Sequence, residues 1–125
     1  MDRIDLKVPV KAEYVSLNRL VSSSLAALMG FDIEAIDDIK VCLGEVCNQC
    51  IQLAALEEEA LEIGFMRDGD ALRMEVAVGV NDDLDETVNN GLEMSRLIVE
   101  TLMDDFTVSR ENGQIRIEMS RRLEA

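Results

Sequence analysis

No histidine occurs in the 125 residues, and basic side chains are scarce, with 12 lysines and arginines against 26 aspartates and glutamates. The first absence removes the commonest zinc ligand, and a single Cys-x-x-C leaves a tetrahedral zinc site short of ligands. The second gives a net charge of −14, a field that repels phosphate backbones and favours basic protein surfaces or metal cations. No nucleic-acid contact is expected. Long apolar runs are also missing: nothing approaches the ~20 residues a membrane helix needs. Met1-Asp2-Arg3 leads straight into an alternating pattern instead of a signal peptide, so the expectation is a cytoplasmic protein with no membrane partner.

What is present is ample apolar material. At 48% hydrophobic content a chain of this size buries a core without disulfides or metals, and residues 1–125 are expected to form one domain. Three cysteines, Cys42, Cys47 and Cys50, fall on one predicted helix. An odd number so closely spaced is no disulfide framework. Redox Cys-x-x-C motifs place the first thiol at a helix N-terminus, whereas Cys47 and Cys50 lie in mid-helix, so all three are assigned to core packing.

Along the chain, Ile4, Leu6, Val8 and Val10 alternate with polar residues and predict a strand over residues 3–10, placed by Pro9 at or near an edge. Val15, Leu20, Val21, Leu25, Leu28 and Met29 predict a helix stopped by Gly30. Asp32 is placed to cap a second helix carrying Ile36, Ile39, Leu43, Val46, Cys47, Cys50 and Leu53 at spacings of three and four. Glu57, Glu58 and Glu59 read as solvated charge after it. Leu61, Ile63 and Phe65 then alternate up to an Asp68-Gly69-Asp70 turn, and Leu72, Met74, Val76, Val78 and Val80 line one face of the return strand. The polar stretch 81–90 reads as a loop, and a third helix is expected from Leu92 to about Asp104. A final hairpin pairs Phe106 and Val108 with Ile115, Ile117 and Met119 across Asn112-Gly113, leaving Arg121 and Arg122 as a basic tail. The order βααββαββ implies an α+β fold, a two-layer sandwich of a mixed, mostly antiparallel sheet with three helices on one face. The other face, or an edge, is then a natural partner surface.

The segments Leu6-Lys7-Val8-Pro9-Val10-Lys11-Ala12-Glu13-Tyr14-Val15, Met29-Gly30-Phe31, Ile36-Asp37-Asp38-Ile39-Lys40-Val41 and Gly44-Glu45-Val46-Cys47-Asn48-Gln49 resemble the anti-sigma-factor serine kinases of bacterial partner-switching systems. So does Val99-Glu100-Thr101-Leu102-Met103-Asp104-Asp105-Phe106. These kinases belong to the histidine-kinase-like ATPases, with gyrase, Hsp90 and MutL. The resemblance implies a helix motif in which Glu45 is the candidate catalytic residue, serving as base or orienting the attacking group, but Gln49 stands where the family's asparagine holds the magnesium of Mg-ATP. Gln49 is one methylene longer, and magnesium tolerates poor octahedral geometry badly. It also implies an adenine-reading aspartate and a glycine near Val78 and Val80, where valine offers no acceptor and no space; Gly79 lies between them, and Asp82 and Asp83 follow. A Gly-x-Gly phosphate cradle at the start of the last helix would fall on Glu93 and Ser95, and a glutamate there repels phosphate. Arg116 falls near a position where the family often has threonine.

With three motifs altered, Glu45, Gln49 and Gln52 read as a polar stripe on a buried helix. The resemblance then implies a regulator that has kept the kinase fold and lost its nucleotide site: an anti-sigma-like protein, homodimeric, binding a sigma factor or an anti-anti-sigma protein, with no cofactor. Two alternatives are an active serine kinase, in which Glu45 and Gln49 work with Mg-ATP on an anti-anti-sigma factor, and a small-molecule sensor in a remodelled pocket.

Overall fold

Alternation of apolar and polar residues is obeyed strictly enough to set the whole sheet. In the computed structural model, which describes residues 2–81 and 86–124, five strands are formed: β1 (Asp2–Pro9), β2 (Ala60–Asp68), β3 (Ala71–Gly79), β4 (Asp105–Glu111) and β5 (Gln114–Arg122). They pair in the order β1-β2-β3-β5-β4, and each neighbouring pair is antiparallel, so the expected mixed sheet is antiparallel throughout. Two of the four pairs, β2-β3 and β4-β5, are hairpins, whose tight turns join only antiparallel neighbours. β1 lies at one edge and ends at Pro9, where a missing N–H costs least.

Three helices are described: α1 (Val15–Met29), α2 (Ile33–Leu53) and α3 (Glu86–Leu102), with a 3-10 turn at Ala12–Tyr14 leading into α1. Gly30, at φ 97°, ends α1, because its left-handed conformation lets Phe31 N–H donate back to the Ala26 carbonyl. Asp32 caps α2 by accepting from Ala35 N–H at 2.8 Å. The second hairpin turns on Asn112 and Gly113, both at positive φ (54° and 74°), the pair of conformations a tight hairpin turn requires.

α3 differs from the sequence expectation. It begins at Glu86, inside the stretch read as a loop, because the helix lies against α2 and gains from that contact more than Asn89, Asn90 and Gly91 lose in propensity.

The core lies between the helices and one face of the sheet. Ile39, Cys42, Leu43, Val46, Cys47 and Cys50 of α2 are fully buried, as are Phe65 and Met74 of the two central hairpin strands. The opposite face is not apolar. It carries Arg3, Asp5 and Lys7 of β1, Glu62 and Gly64 of β2, Arg73, Glu75 and Ala77 of β3, and Arg116 and Glu118 of β5, aligned by the pairing register.

Candidate functional site

α2 carries the residues on which the family's chemistry would rest, so its surroundings decide what that chemistry can be. Glu45 and Gln49, four residues apart, are half-buried on one side of α2, and α3 runs antiparallel to them. Ser95 Oγ donates to Glu45 Oε1 at 2.8 Å. One turn along, a Cβ on Gly91 would lie 3.1 Å from Gln49 Oε1, so glycine is what lets α3 come this close. Farther on, Arg121 bridges the helices by pairing with Asp38 at 3.3 Å and donating to the Leu102 carbonyl at the end of α3. Gln52 is exposed one turn beyond Gln49.

The expected base-binding positions point into the core. Val78 is 1% exposed and sits opposite Ile115 of β5, while Val80 is 8% exposed. The strand end is also tied down by its backbone: Ala55 N–H donates to the Gly79 carbonyl at 2.9 Å and Val80 N–H to the Gly113 carbonyl at 2.8 Å. Asp82 and Asp83 lie outside the described residues. Gly79 does not open a path for a base, because the Glu58 carboxylate covers its α-carbon and stands where a Cβ would lie.

The phosphate-cradle positions do not stand at a helix start. Only the first four N–H groups of a helix are free of intrahelical partners. α3 begins seven residues before Glu93, so the amides of Glu93 and Ser95 are spent inside it. The Glu93 carboxylate is 3.7 Å from Arg96 Nε, and Ser95 is buried against Glu45.

These residues do not fit Mg-ATP. The base would find no acceptor at Val78 and no space at Val80, the phosphates would find no free amides at Glu93 and Ser95, and Glu45 and Gln49 already face α3. Among the described residues no group of three or more acidic or cysteine side chains is arranged to hold a metal ion.

Arg116 does not line this region. It points to the open sheet face, while its neighbours Ile115 and Ile117 point into the core, as the period of two along a strand requires. There Arg116 pairs with Glu75 at 3.0 Å, and Arg3 pairs with the same carboxylate from the other side. The three charged groups cross the face above Gly64, where a Cβ would meet Arg3 Nη2 at 2.8 Å. Burial pushes the Glu75 carboxyl up, but the hydrogen bond from Arg3 and the charge of Arg116 outweigh it and hold the group below the ordinary carboxylate range. A depressed carboxyl stabilises the fold above its unfolded pKa and loses that contribution as pH falls through the folded value. Sequence reading missed this cluster; the signal was that Arg3, Glu75 and Arg116 all occupy polar phases of their strands' alternation.

The cysteines are core residues. Cys47 and Cys50 are fully buried, and Asn18 Nδ2 lies 3.7 Å from Cys47 Sγ. Burial pushes the thiols of Cys42 and Cys47 up to about 12 and that of Cys50 higher still. Burial that disfavours the thiolate and shuts out reagent means that a thiol reagent should label none of the three until the chain unfolds. A thiol that reacts within seconds under native conditions would return Cys47-Asn48-Gln49-Cys50 to the redox class.

Comparison with known proteins agrees with this architecture. Residues 8–121 match the family model for the histidine kinase-like ATPase domain. The serine-protein kinase RsbW of Bacillus cereus strain B4264 is 31% identical over 130 aligned positions, spanning 90% of this chain and 80% of the relative. RsbW of Bacillus anthracis strain A0248 gives the same identity and the same shares of each chain. The structure of the RsbU and RsbW domains of Rv1364c from Mycobacterium tuberculosis superposes with a TM-score of 0.77 over 98% of this chain at 14% identity, and this chain spans 33% of that one. The catalytic domain of histidine kinase ThkA superposes less closely, with a TM-score of 0.54 at 12% identity, over 98% of this chain and 97% of its own. With the family model matched over residues 8–121 and relatives 31% identical over 90% of its length, the chain belongs to the histidine kinase-like ATPase domain family.

Proposed function

We propose that this chain is an anti-sigma-like regulator of the cytoplasm that acts by occupying a protein partner, without ATP-dependent kinase activity. The observation that carries this reading is α3 lying on α2, with Ser95 bonded to Glu45 and Gln49 facing Gly91, where a nucleotide-binding member of the family would need open space. The partner is a sigma factor, an anti-anti-sigma protein, or each in turn, and the working unit is a homodimer. A strongly acidic chain steers basic partner surfaces toward itself, which raises the rate of encounter more than it raises affinity.

The alternative of an active serine kinase has two observations in its favour: Glu45 is present, and the RsbW relatives are named as serine-protein kinases. Thermal unfolding with and without millimolar Mg-ATP or Mg-ADP separates the two. A ligand that binds only the native state stabilises it by about 2.7 kcal/mol at a hundredfold excess over Kd. No shift in Tm is expected here, together with co-purification of a sigma factor or its antagonist in nucleotide-free buffer. A rise of several degrees sinks the occupancy reading and directs attention to phosphorylation assays with Glu45→Gln.

A further inference from the structure

We propose that the solvent-facing side of α3, with Val41 of α2 beside it, is a docking face for a basic amphipathic helix of a partner protein. This rests on the reading of the chain as a protein-binding regulator and adds to it a place and a chemistry.

α3 is apolar on two sides. One side meets the core through buried Val99, half-buried Leu92 and Leu102, and Ser95 on Glu45. The other carries Met94, Leu97 and Ile98, which are 66%, 68% and 38% exposed. Spacings of three and four put those three on one strip of the helix. The contacts Glu45 to Ser95 and Gln49 to Gly91 run the helices antiparallel, which brings Val41, 47% exposed, level with Ile98 and Val99. A helix with large apolar residues on its outer side as well as its inner one is expected to be covered on both.

Charge decides what covers it. Glu93 and Glu100 border the strip along one side, and Asp37 is exposed one turn before Val41. The only base on this part of α3, Arg96, is engaged: it lies 3.7 Å from Glu93, 3.1 Å from Glu100 and 5.0 Å from the centre of the Phe106 ring. Two carboxylates share that one guanidinium, so this border of the strip carries net negative charge, which Asp37 extends beside Val41. An anionic lipid surface would be repelled by it. A second copy would bring the same acids against each other on a chain of net charge −14. A helix with apolar residues at i, i+3 and i+4 and lysines or arginines beside them satisfies both the strip and its acidic border.

The test uses a fluorescent amphipathic peptide of about 14 residues, built from leucine and lysine with leucines repeating at three and four, and a scrambled peptide of the same composition. The full chain is titrated by anisotropy near physiological salt. The ordered peptide should bind at least about tenfold more tightly than the scrambled one, and the double variant Met94→Ser, Leu97→Ser should erase that difference. Leu97→Lys alone should weaken binding too, and Leu17→Ser with Leu28→Ser on exposed positions of α1 should leave it unchanged. Equal binding of both peptides, no binding, or full binding by the α3 variants overturns the proposal. A dimer that dissociates in the α3 variants overturns it in favour of a second copy, and phosphatidylserine vesicle binding lost in them overturns it in favour of a membrane. Stabilisation by Mg-ATP with peptide binding intact would sink the occupancy reading alone, whereas absent peptide binding with no nucleotide shift would sink the docking face alone.

Discussion

Val78→Asp, which places a carboxylate near where the family resemblance would put an adenine-reading acid, is expected to destabilise the chain by ~3–5 kcal/mol and to confer no response to Mg-ATP. Val78 is packed between the helix layer and the sheet, with its register partner Ile115 also fully buried. A carboxylate there loses its water and gains no cation, since Arg116 and Glu75 meet on the opposite face of the sheet. The acid would stay protonated or force the strand apart, and either outcome weakens the core. Urea unfolding checks this through the midpoint at unchanged slope. Wild-type stability together with a rise in Tm on adding Mg-ATP would mean that the space beside Val78 is open to a nucleotide, and the occupancy reading would fall.

Phe65→Ala should cost a similar ~3–5 kcal/mol, for a different reason: a buried ring leaves a cavity that its neighbours fill only in part. Phe65 has no exposed surface and stands opposite Ile4 of β1 and Met74 of β3, so its removal loosens three adjacent strands. For a chain of this size each kcal/mol corresponds to about 4 °C, which makes a fall of more than 10 °C in Tm the expected result. Glu118→Ala, exposed on the open face, should stay within about 0.5 kcal/mol of wild type. A loss below about 1 kcal/mol for Phe65→Ala would show that the packing between helices and sheet is not centred on β2.

Most elements were legible in the residues because their signals are local. The alternation through Leu61, Ile63 and Phe65, and again through Leu72, Met74, Val76 and Val78, specifies strands with one buried face, since a slip of one residue would expose the whole set. Asp68-Gly69-Asp70 and Asn112-Gly113 mark the hairpin turns by needing backbone conformations that glycine and asparagine adopt cheaply. Asp32 and Gly30 marked helix ends for the same kind of reason. The start of α3 was not legible, because 81–90 is polar and poor in helix formers, and what makes its second half helical lies on another element.

The candidate site divides along the same line. The expectation that Gln49, Val78, Val80, Glu93 and Ser95 depart from the family's nucleotide motifs rests on residue identity alone, as does the strongly acidic net charge. The sequence by itself also determined the two-layer sandwich, through periods of two and of 3.6 that no neighbour has to enforce. Only the tertiary structure decided that α3 closes on α2, that Ser95 bonds Glu45, that Arg3 and Arg116 share Glu75, and that Met94, Leu97 and Ile98 stay outside the core. Each of these joins residues dozens of positions apart, or depends on which side of a helix its neighbours cover, and such pairings are set by packing between layers and not by any pattern within one segment.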